Sequence, residues 1–340
     1  MIVVLAGLLG GLLVAPTPAQ ASTGPLRIML EGDSITQGVD GDYTWRYRFY
    51  RELVRQRVRF DFVGARTSPW VEPGFRSSQY ADPRFDQDHF ARAGSTLLVH
   101  AYQVHDQVAA RKPDIIVLEA GINDLRAGRT PAQTDGYLRT WIANARSAEP
   151  GVKIVVSSIL DATDVGRPWL PQRIRDFRAL QATTVRQLST VQSPIVLADT
   201  DRGWGVMADT YDNLHPTPTG ETLIAQRIAE TFKGLGVLRQ QPSIYRTTAW
   251  GRVARTQARV VGRRVVLTWD RQALNGVKIK MRRAGRHWRT GKLNRGGSMV
   301  TGRLRPGRYQ FRIKMIRARM MTDYGPPVRV VVRKGGSRRH

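Results

Sequence analysis

The stretch that decides the fold is LRIMLEGDSITQG, from Leu26 to Gly38. Its first seven residues form an apolar run of strand length that ends at Gly32, directly before an aspartate and a serine. A serine at the end of a strand in an open α/β sheet lies on the rim where such sheets bind ligands. Its hydroxyl becomes a nucleophile only if a base removes the proton and oriented donors meet the oxyanion. The stretch therefore predicts a reactive Ser34, which requires a base and oxyanion donors elsewhere in the chain.

Runs rich in β-branched residues alternate with segments of helical period through the first two thirds of the chain. The predicted strands are LRIMLEG (26–32), RFDFVG (59–64), DIIVLEA (114–120), VKIVVSSI (152–159) and PIVLAD (194–199). Between them, a helix over 44–57 would place Trp45, Phe49 and Leu53 on one face, and the segments that begin at Thr130 and His215 also predict helices. This alternation predicts an α/β fold, namely a three-layer α/β/α sandwich around a five-stranded parallel sheet.

The last hundred residues follow a different pattern. Apolar and polar residues alternate with period two in RRVVLTWD, VKIKMRR, YQFRIKM and PVRVVVRK, which predicts a small antiparallel β-sandwich. This part also holds most of the charge, because residues 241–340 carry 27 Lys and Arg against two Asp, within a chain of formal net charge +27. The sequence thus predicts a near-neutral domain followed by a strongly basic one.

The chain of 340 residues is long enough for two domains with separate cores. The apolar run over 2–14, followed by PTPAQA, predicts a signal peptide over 1–21 and a secreted protein. We expect the first domain over 22–234, a linker over 235–241, the basic domain over 242–334 and a basic tail over 335–340. With no cysteine in the sequence, disulfides, thiolate nucleophiles and cysteine metal sites are excluded.

The base and the donors for Ser34 are found in three later motifs. In DNLHP, Asp212 and His215 lie three residues apart, so the carboxylate could orient an imidazole that faces the serine. Gly94 in RAGST could offer a backbone N–H, and Asn123 in GIND could offer its side-chain amide. Each motif alone has an ordinary structural explanation, such as a turn, a helix cap or a local capping pair. Their joint occurrence at predicted strand ends favours a hydrolase.

These motifs, in this order, resemble the SGNH or GDSL hydrolases of esters over about Leu26 to Phe232. The resemblance implies a flavodoxin-like sheet and assigns Ser34 as nucleophile, His215 as base and Asp212 as the residue that orients it. It also implies an oxyanion hole formed by Ser34, Gly94 and Asn123, of which the glycine motif departs most from the family pattern. Neither a metal nor another cofactor is expected.

Within that family, RIMLEGDSITQG, WRYRFYREL and FDFVG look most like bacterial carbohydrate esterases that remove acetyl groups from xylan and similar polymers. The four aromatic residues that fall near strand ends, of which one or two could stack on sugar rings, are Trp70, Trp169, Trp204 and Tyr211. A lipase or phospholipase is the alternative, although the segment SSQYADPRFDQDHF is more polar than an apolar lid would be.

The basic part resembles fibronectin type III modules, which have an immunoglobulin-like sandwich fold. The resemblance rests on Trp269 in an early strand and on Tyr309 at the tyrosine-corner position. The alternation of polar and apolar residues places five cations on the outward face of two strands: Lys278, Lys280, Arg282, Arg312 and Lys314. In such modules the two strands that carry these five cations are neighbours. A face of one sign predicts binding to a polyanion: teichoic acid or another acidic wall polymer, an acidic polysaccharide, anionic lipid, or nucleic acid without sequence preference. For a secreted esterase, the wall polymer and the polysaccharide are favoured. An adhesive wall-binding protein with a vestigial hydrolase domain is a second alternative.

Overall fold

The structure is a computed structural model of the chain. It describes residues 24–71, 79–247, 256–269, 276–294, 296–317 and 320–333. The predicted signal peptide (1–21) and the predicted basic tail (335–340) lie outside the described residues.

The first part of the chain forms a parallel sheet. Its strands are β1 (Leu26–Gly32), β2 (Phe60–Val63), β3 (Phe90–Ala91), β4 (Ile115–Glu119), β5 (Lys153–Ser157) and β6 (Ile195–Ala198). The strand order is β2-β1-β4-β5-β6, and all five of these strands were predicted. The two-residue β3 was not predicted, and it pairs in parallel with Glu31 and Gly32 at the end of β1.

Helices cover both faces of this sheet. They are α1 (Ser34–Gln37), α2 (Thr44–Arg55), α3 (Leu97–Arg111), α4 (Ile122–Arg126), α5 (Pro131–Ala148), α6 (Leu170–Leu188), α7 (Val206–Asp209) and α8 (Pro218–Gly234). Side chains of β1 alternate between two cores: Met29 packs with α3, α5 and α6, whereas Ile28 and Leu30 pack with α2 and α8. This arrangement confirms the predicted α/β architecture with its parallel sheet.

The sequence of α2 explains which face it buries. Trp45, Phe49 and Leu53 recur at helical spacing, and all three are fully buried against the sheet, as predicted. Local signals start the later helices: Thr130 and Gln133 form a capping box before α5, with Pro131 at its first position. Thr217 caps α8 through the N–H of Gly220, so the loop that carries His215 ends at a fixed point.

The segment after α8 folds back over α2. Leu238 and Ile244 are buried in the same core as α2 and α8. The Arg48 guanidinium, itself fully buried, donates to the backbone oxygen of Tyr245 at 2.8 Å and to Thr247 Oγ1 at 2.9 Å. Residues of the predicted linker and the start of the predicted second domain therefore pack against the first domain. The domain boundaries themselves stay predictions.

The basic part forms two antiparallel sheets. Its strands are β7 (Thr256–Val261), β8 (Arg264–Trp269), β9 (Gly276–Arg283), β10 (Arg289–Asn294), β11 (Ser298–Val300), β12 (Gly307–Arg317), β13 (Met320–Met321) and β14 (Val328–Val332). One sheet has the order β11-β8-β7, and the other has β10-β9-β12-β13 with β14 also paired to β12. Leu267 and Trp269 of β8 share a buried core with Ile279 of β9 and with Phe311 and Ile313 of β12. The predicted antiparallel β domain is therefore present.

Candidate active site

Ser34 lies at the carboxyl end of β1, at the start of the short helix α1. Asp33 caps this helix, since its Oδ1 accepts the N–H of Ile35 at 2.9 Å. A side chain at Gly32 would place its Cβ 2.2 Å from the backbone oxygen of Glu119, so the close approach of β1 and β4 requires glycine there. In the sheet, β2 lies on one side of β1, whereas β4, which comes later in the chain, lies on the other side of β1. Ser34 therefore borders the point where the strand order reverses, where α/β sheets bind ligands.

His215 and Asp212 lie next to Ser34. The Nε2 atom of His215 is 2.9 Å from Ser34 Oγ, and its Nδ1 atom is 2.7 Å from Asp212 Oδ2. The other Asp212 oxygen accepts the backbone N–H groups of His215 at 2.7 Å and of Leu214 at 3.2 Å. Because Asp212 can only accept, it favours the imidazole with the proton on Nδ1, which leaves Nε2 to accept the serine proton.

The environment keeps Asp212 ionised. Burial alone would raise the pKa of its carboxyl, but the hydrogen bond and charge of His215 outweigh that effect and lower the pKa to about 2. The backbone of the loop contributes to the geometry, because Asn213 has a left-handed φ of 67° and Tyr211 N–H donates to the oxygen of His215 at 2.8 Å. The sequence DNLH thus folds as a tight turn in which the side chains of Asp212 and His215 meet.

Asn123 and Gly94 are the two candidate oxyanion donors besides Ser34. Asn123 follows β4 at the start of α4, and its Nδ2 donates to Ser95 O at 2.9 Å and lies 3.3 Å from Asp33 Oδ2. Gly94 belongs to the exposed loop after β3 and has a left-handed φ of 77°. Arg92 N–H, on the same loop, donates to the oxygen of Gly32 at 3.0 Å. In the described part of the chain, no acceptor takes up the N–H of Gly94.

A layer of buried ionisable groups lies beneath the site, and sequence reasoning did not identify it. Asp124 accepts the N–H groups of Leu97 and Leu98 and so fixes the start of α3 behind the Gly94 loop. His100 Nδ1 lies 2.9 Å from Glu31 Oε1. The motif GIND contains the signal for Asp124, because an aspartate there is a candidate helix cap, although the helix that it caps is α3 and not its own.

Asp33 also belongs to this buried layer. Burial raises the pKa of its carboxyl to about 6, and the positive electrostatic influence of His215 and His100 opposes that rise. Glu119 is also buried, and its pKa is raised well above the usual range by burial and by the neighbouring charge of Asp33. The two carboxyls therefore disfavour each other's ionisation close to Ser34.

Two of the four aromatic residues predicted near the strand ends are buried. Trp204 is 8% exposed and donates its indole N–H to the oxygen of Asp161, and Tyr211 is 7% exposed. Trp70 is half-buried, whereas Trp169 is 36% exposed and carries the Arg173 guanidinium 4.1 Å from its ring centre. Trp169 is thus the most exposed of the four.

The five predicted cations of the basic domain lie on neighbouring strands. In the register of β9 and β12, Lys278 lies opposite Lys314 and Lys280 lies opposite Arg312, while Arg282 donates to Gln310 across the strands. Asp323 is the sole acidic residue among the described residues from 256 onward. The shared basic face is a feature of the structure, whereas its binding role stays a prediction.

No group of three or more His, Asp or Glu among the described residues is arranged to hold a metal ion. Metal independence stays a prediction to be tested. Over the same part of the chain, no helix combines the length and the apolar character that a membrane crossing requires.

The fold and the paired serine and histidine define a serine ester hydrolase. The chain belongs to the GDSL-like Lipase/Acylhydrolase family, whose sequence profile matches residues 31–223. None of the curated proteins matches the chain.

Several solved structures resemble part of this chain. A mutant of an acetyl esterase with acetate ion is 26% identical, with 62% of this chain and 97% of that chain covered and a TM-score of 0.53. A carbohydrate esterase family 3 protein from Talaromyces cellulolyticus is 27% identical over the same shares, also with a TM-score of 0.53. A Clostridium thermocellum family 3 carbohydrate esterase shares the fold, at 23% identity, a TM-score of 0.51, and coverage of 62% of this chain and 96% of that one.

Proposed function

We propose that the protein removes O-acetyl groups from a carbohydrate polymer, with Ser34 as nucleophile, His215 as base and Asp212 as the residue that orients it. The observation that carries this proposal is the continuous contact from Ser34 Oγ to His215 Nε2 at 2.9 Å and from His215 Nδ1 to Asp212 at 2.7 Å. Ser34 N–H, Gly94 N–H and the Asn123 amide serve as the oxyanion donors. Asn123 Nδ2 has two N–H groups. The one that donates to Ser95 O turns to the oxyanion, while the other stays on Asp33 Oδ2.

The reaction proceeds through an acetyl-enzyme. Ser34 Oγ attacks the carbonyl carbon as His215 Nε2 takes the hydroxyl proton, and the carbonyl electron pair moves to the oxygen that the donors stabilise. When this intermediate collapses, the bond to the alcohol oxygen breaks and His215 returns the proton to that oxygen. Water then repeats the attack with His215 as base, so acetate leaves and Ser34 recovers its proton.

The acetyl preference is supported by the two solved neighbours above 25% identity, an acetyl esterase and a carbohydrate esterase. The alternative of a lipase or phospholipase receives no support from residues 79–90, because Tyr80 and Phe85 are buried against Tyr47 of α2. Aromatic side chains used in this way close the fold and do not form an apolar cover over a substrate.

The acyl specificity is tested with p-nitrophenyl esters of increasing chain length, together with acetylated sugars and polysaccharides. We expect a steep preference for acetyl over longer chains. A preference for long acyl chains would replace the carbohydrate assignment with a lipase.

We also propose that the basic domain is fibronectin type III-like and attaches the enzyme to an anionic polymer such as teichoic acid or an acidic polysaccharide. The sandwich assignment is supported by the strand orders of the two sheets and by Tyr309, whose hydroxyl donates to the oxygen of Arg305 at 2.9 Å. Export of the protein is supported by the apolar N-terminal sequence alone.

The arrangement of the basic face favours this second function. Like charges directly opposite each other across two strands destabilise a sheet, so the pairs on β9 and β12 carry a cost that a bound polyanion would relieve. Aromatic rings hold part of the charge in place: Lys280 Nζ lies 3.9 Å from the ring centre of Tyr324, and Arg282 Cζ lies 4.6 Å from that of Trp288.

Co-sedimentation with purified cell walls across a salt series tests the attachment. Binding should weaken steeply as salt rises, because counterion release drives polyanion binding. Replacing the four paired cations by glutamine should reproduce most of the loss: Lys278, Lys280, Arg312 and Lys314. If binding ignored salt, the polyanion assignment would fail. If binding persisted in a protein without ester turnover, the vestigial-hydrolase alternative would stand.

A further inference from the structure

A cleft of about 290 Å³ adjoins the candidate triad on the side of His215. Its polar lining comes from three places in the chain: α4 contributes Arg126, the loop after β5 contributes Thr163 and Asp164, and the triad loop contributes Asp212, Asn213 and His215. The backbone joins two of these walls, because Thr163 N–H donates to the oxygen of Asn213 at 3.1 Å. The cleft is therefore formed by the fold itself and is continuous with the candidate triad.

The reaction chemistry determines which half of an ester reaches this cleft. The carbonyl oxygen must face the Ser34, Gly94 and Asn123 donors, whereas the leaving oxygen must face His215 Nε2 to receive its proton. The alcohol half of the substrate therefore extends from the oxyanion donors towards His215. A cleft lined by His215 lies where the alcohol half would be.

Arg126 has unused donors in this cleft. It follows Asn123 by three residues on α4, so it lies on the same side of that helix turn as the oxyanion donor. Its guanidinium makes one hydrogen bond in the described part of the chain, a long one of 3.4 Å to Asp164 Oδ2. A guanidinium has five N–H donors, so most of those of Arg126 remain available to a ligand.

Asp164 is a fixed acceptor beside it. Arg167 Nη1 donates to Asp164 Oδ2 at 2.6 Å, and the N–H of Gly166 donates to Oδ1 at 3.0 Å. The hydrogen bond from Arg167 lowers the pKa of this carboxyl, which keeps it ionised and able to accept. The cleft thus places the N–H donors of Arg126 next to the fixed carboxylate acceptor of Asp164.

This combination selects a class of ligand. Two carboxylates, Asp164 and Asp212, outnumber the single guanidinium of Arg126 in the cleft, which disfavours an anion. Six of the ten lining residues are polar, which disfavours a long acyl chain. Neighbouring hydroxyl groups both donate and accept, which matches Arg126 and Asp164. Resting on the proposed carbohydrate esterase function, we infer that this cleft binds the alcohol half of the substrate as a neutral sugar with free hydroxyls, with Arg126 donating to it and Asp164 accepting from it.

The test compares two acetyl esters: partially O-acetylated xylo-oligosaccharides, which retain free hydroxyls, and p-nitrophenyl acetate, which has none. Arg126→Met and Asp164→Asn should each raise KM for the oligosaccharide about 10-fold or more relative to any change for p-nitrophenyl acetate, as expected for losing charged hydrogen bonds. Deacetylated xylo-oligosaccharides should inhibit p-nitrophenyl acetate hydrolysis competitively, and Arg126→Met should weaken that inhibition by a similar factor.

Arg139→Met is the matched control, because Arg139 also pairs with an aspartate, Asp135 at 2.8 Å, but lies on α5 and does not line the cleft. It should leave both KM values unchanged. An unchanged ratio of the two KM values in Arg126→Met would overturn the inference even if the wild type deacetylates the oligosaccharide. A wild type that hydrolyses p-nitrophenyl acetate but not the oligosaccharide would overturn the carbohydrate function, and this inference with it.

Discussion

The contact between Asp33 and Asn123 leads to a prediction about how the oxyanion hole is held. Asp33 Oδ1 caps the helix that begins at Ser34, and its Oδ2 lies 3.3 Å from Asn123 Nδ2. Asp33→Ser should keep the cap, because serine is also a good N-cap residue, but its shorter side chain cannot reach Asn123. The substitution therefore separates the two roles of this carboxylate.

The magnitude follows from the role of Asn123. Removing one oxyanion donor costs about 10² to 10³ in kcat, so Asn123→Ala should lose that much. Asp33→Ser leaves the donor present but removes the acceptor that holds its second N–H while the first donates to the oxyanion, so a smaller loss of about 10-fold to 10²-fold is expected. If Asp33 acts through Asn123, adding Asp33→Ser to Asn123→Ala should cost almost nothing further, whereas independent effects would multiply.

The assay is a double-mutant cycle on kcat for p-nitrophenyl acetate, with circular dichroism to confirm that each variant is folded. A double variant that loses the product of the two single losses would refute the proposed action of Asp33 through Asn123. A wild-type level of kcat in Asp33→Ser would refute it as well.

The same variant has a stability signature with a defined sign. Because burial raises the folded-state pKa of Asp33 from 3.8 to about 6, the folded state holds this proton more tightly than the unfolded chain does. Ionising Asp33 therefore destabilises the wild type as pH rises from about 4 through about 6, by on the order of 3 kcal/mol. Asp33→Ser lacks this effect, so urea unfolding should show its stability rising relative to the wild type across that interval. Parallel stability curves would contradict the assignment.

Three further predictions concern other parts of the molecule. Asp212→Asn should lower kcat on the order of 10⁴-fold near neutral pH, measured on a small acetyl ester, because an amide no longer favours the Nδ1–H tautomer of His215; a loss under tenfold would contradict this. Glu221→Ala should cost about 3–5 kcal/mol in urea unfolding, because it leaves the Arg48 charge buried without its partner at 3.0 Å, and an unchanged stability would contradict it. A chain that ends at Thr247 should stay folded and turn over p-nitrophenyl acetate, whereas one that ends at Gln240 should unfold more easily because it lacks Ile244 and Tyr245; equal stabilities would contradict the packing of this segment.

Strong local patterns made most of the first domain predictable. All five long strands and the buried face of α2 were anticipated, because continuous apolar runs and helical spacing are local properties of the sequence. The same logic predicted that Ser34 and Asn123 lie at one edge of the sheet, since parallel strands bring their carboxyl ends together. In the structure Asn123 Nδ2 lies 3.3 Å from Oδ2 of Asp33, the residue before Ser34, while the catalytic roles stay predictions. The family membership and the ester hydrolase class predicted from these motifs are confirmed.

Other features depend on contacts distant in sequence. The strand β3 has two residues and forms only because Phe90 and Ala91 meet the end of β1. The segment from 235 to 241 was predicted to be a linker because its apolar residues have no regular period, yet Leu238 is buried in the core of the first domain. Ile244, at the start of the predicted basic domain, is buried in the same core, and the oxygen of Tyr245 accepts from Arg48. The link from Asp33 to Asn123 joins residues 90 positions apart, which no local pattern encodes.

Ester hydrolysis by Ser34→Ala tests the central claim most directly. The side chain lies at the rim of the sheet, so this substitution should leave the fold intact while removing the nucleophile. Purified wild-type protein should turn over p-nitrophenyl acetate, and Ser34→Ala, prepared identically and free of contaminating esterase, should fall to the rate of buffer alone. Turnover by Ser34→Ala within about tenfold of the wild type would contradict the proposed nucleophile, since losing a triad serine normally costs on the order of 10⁶ in kcat.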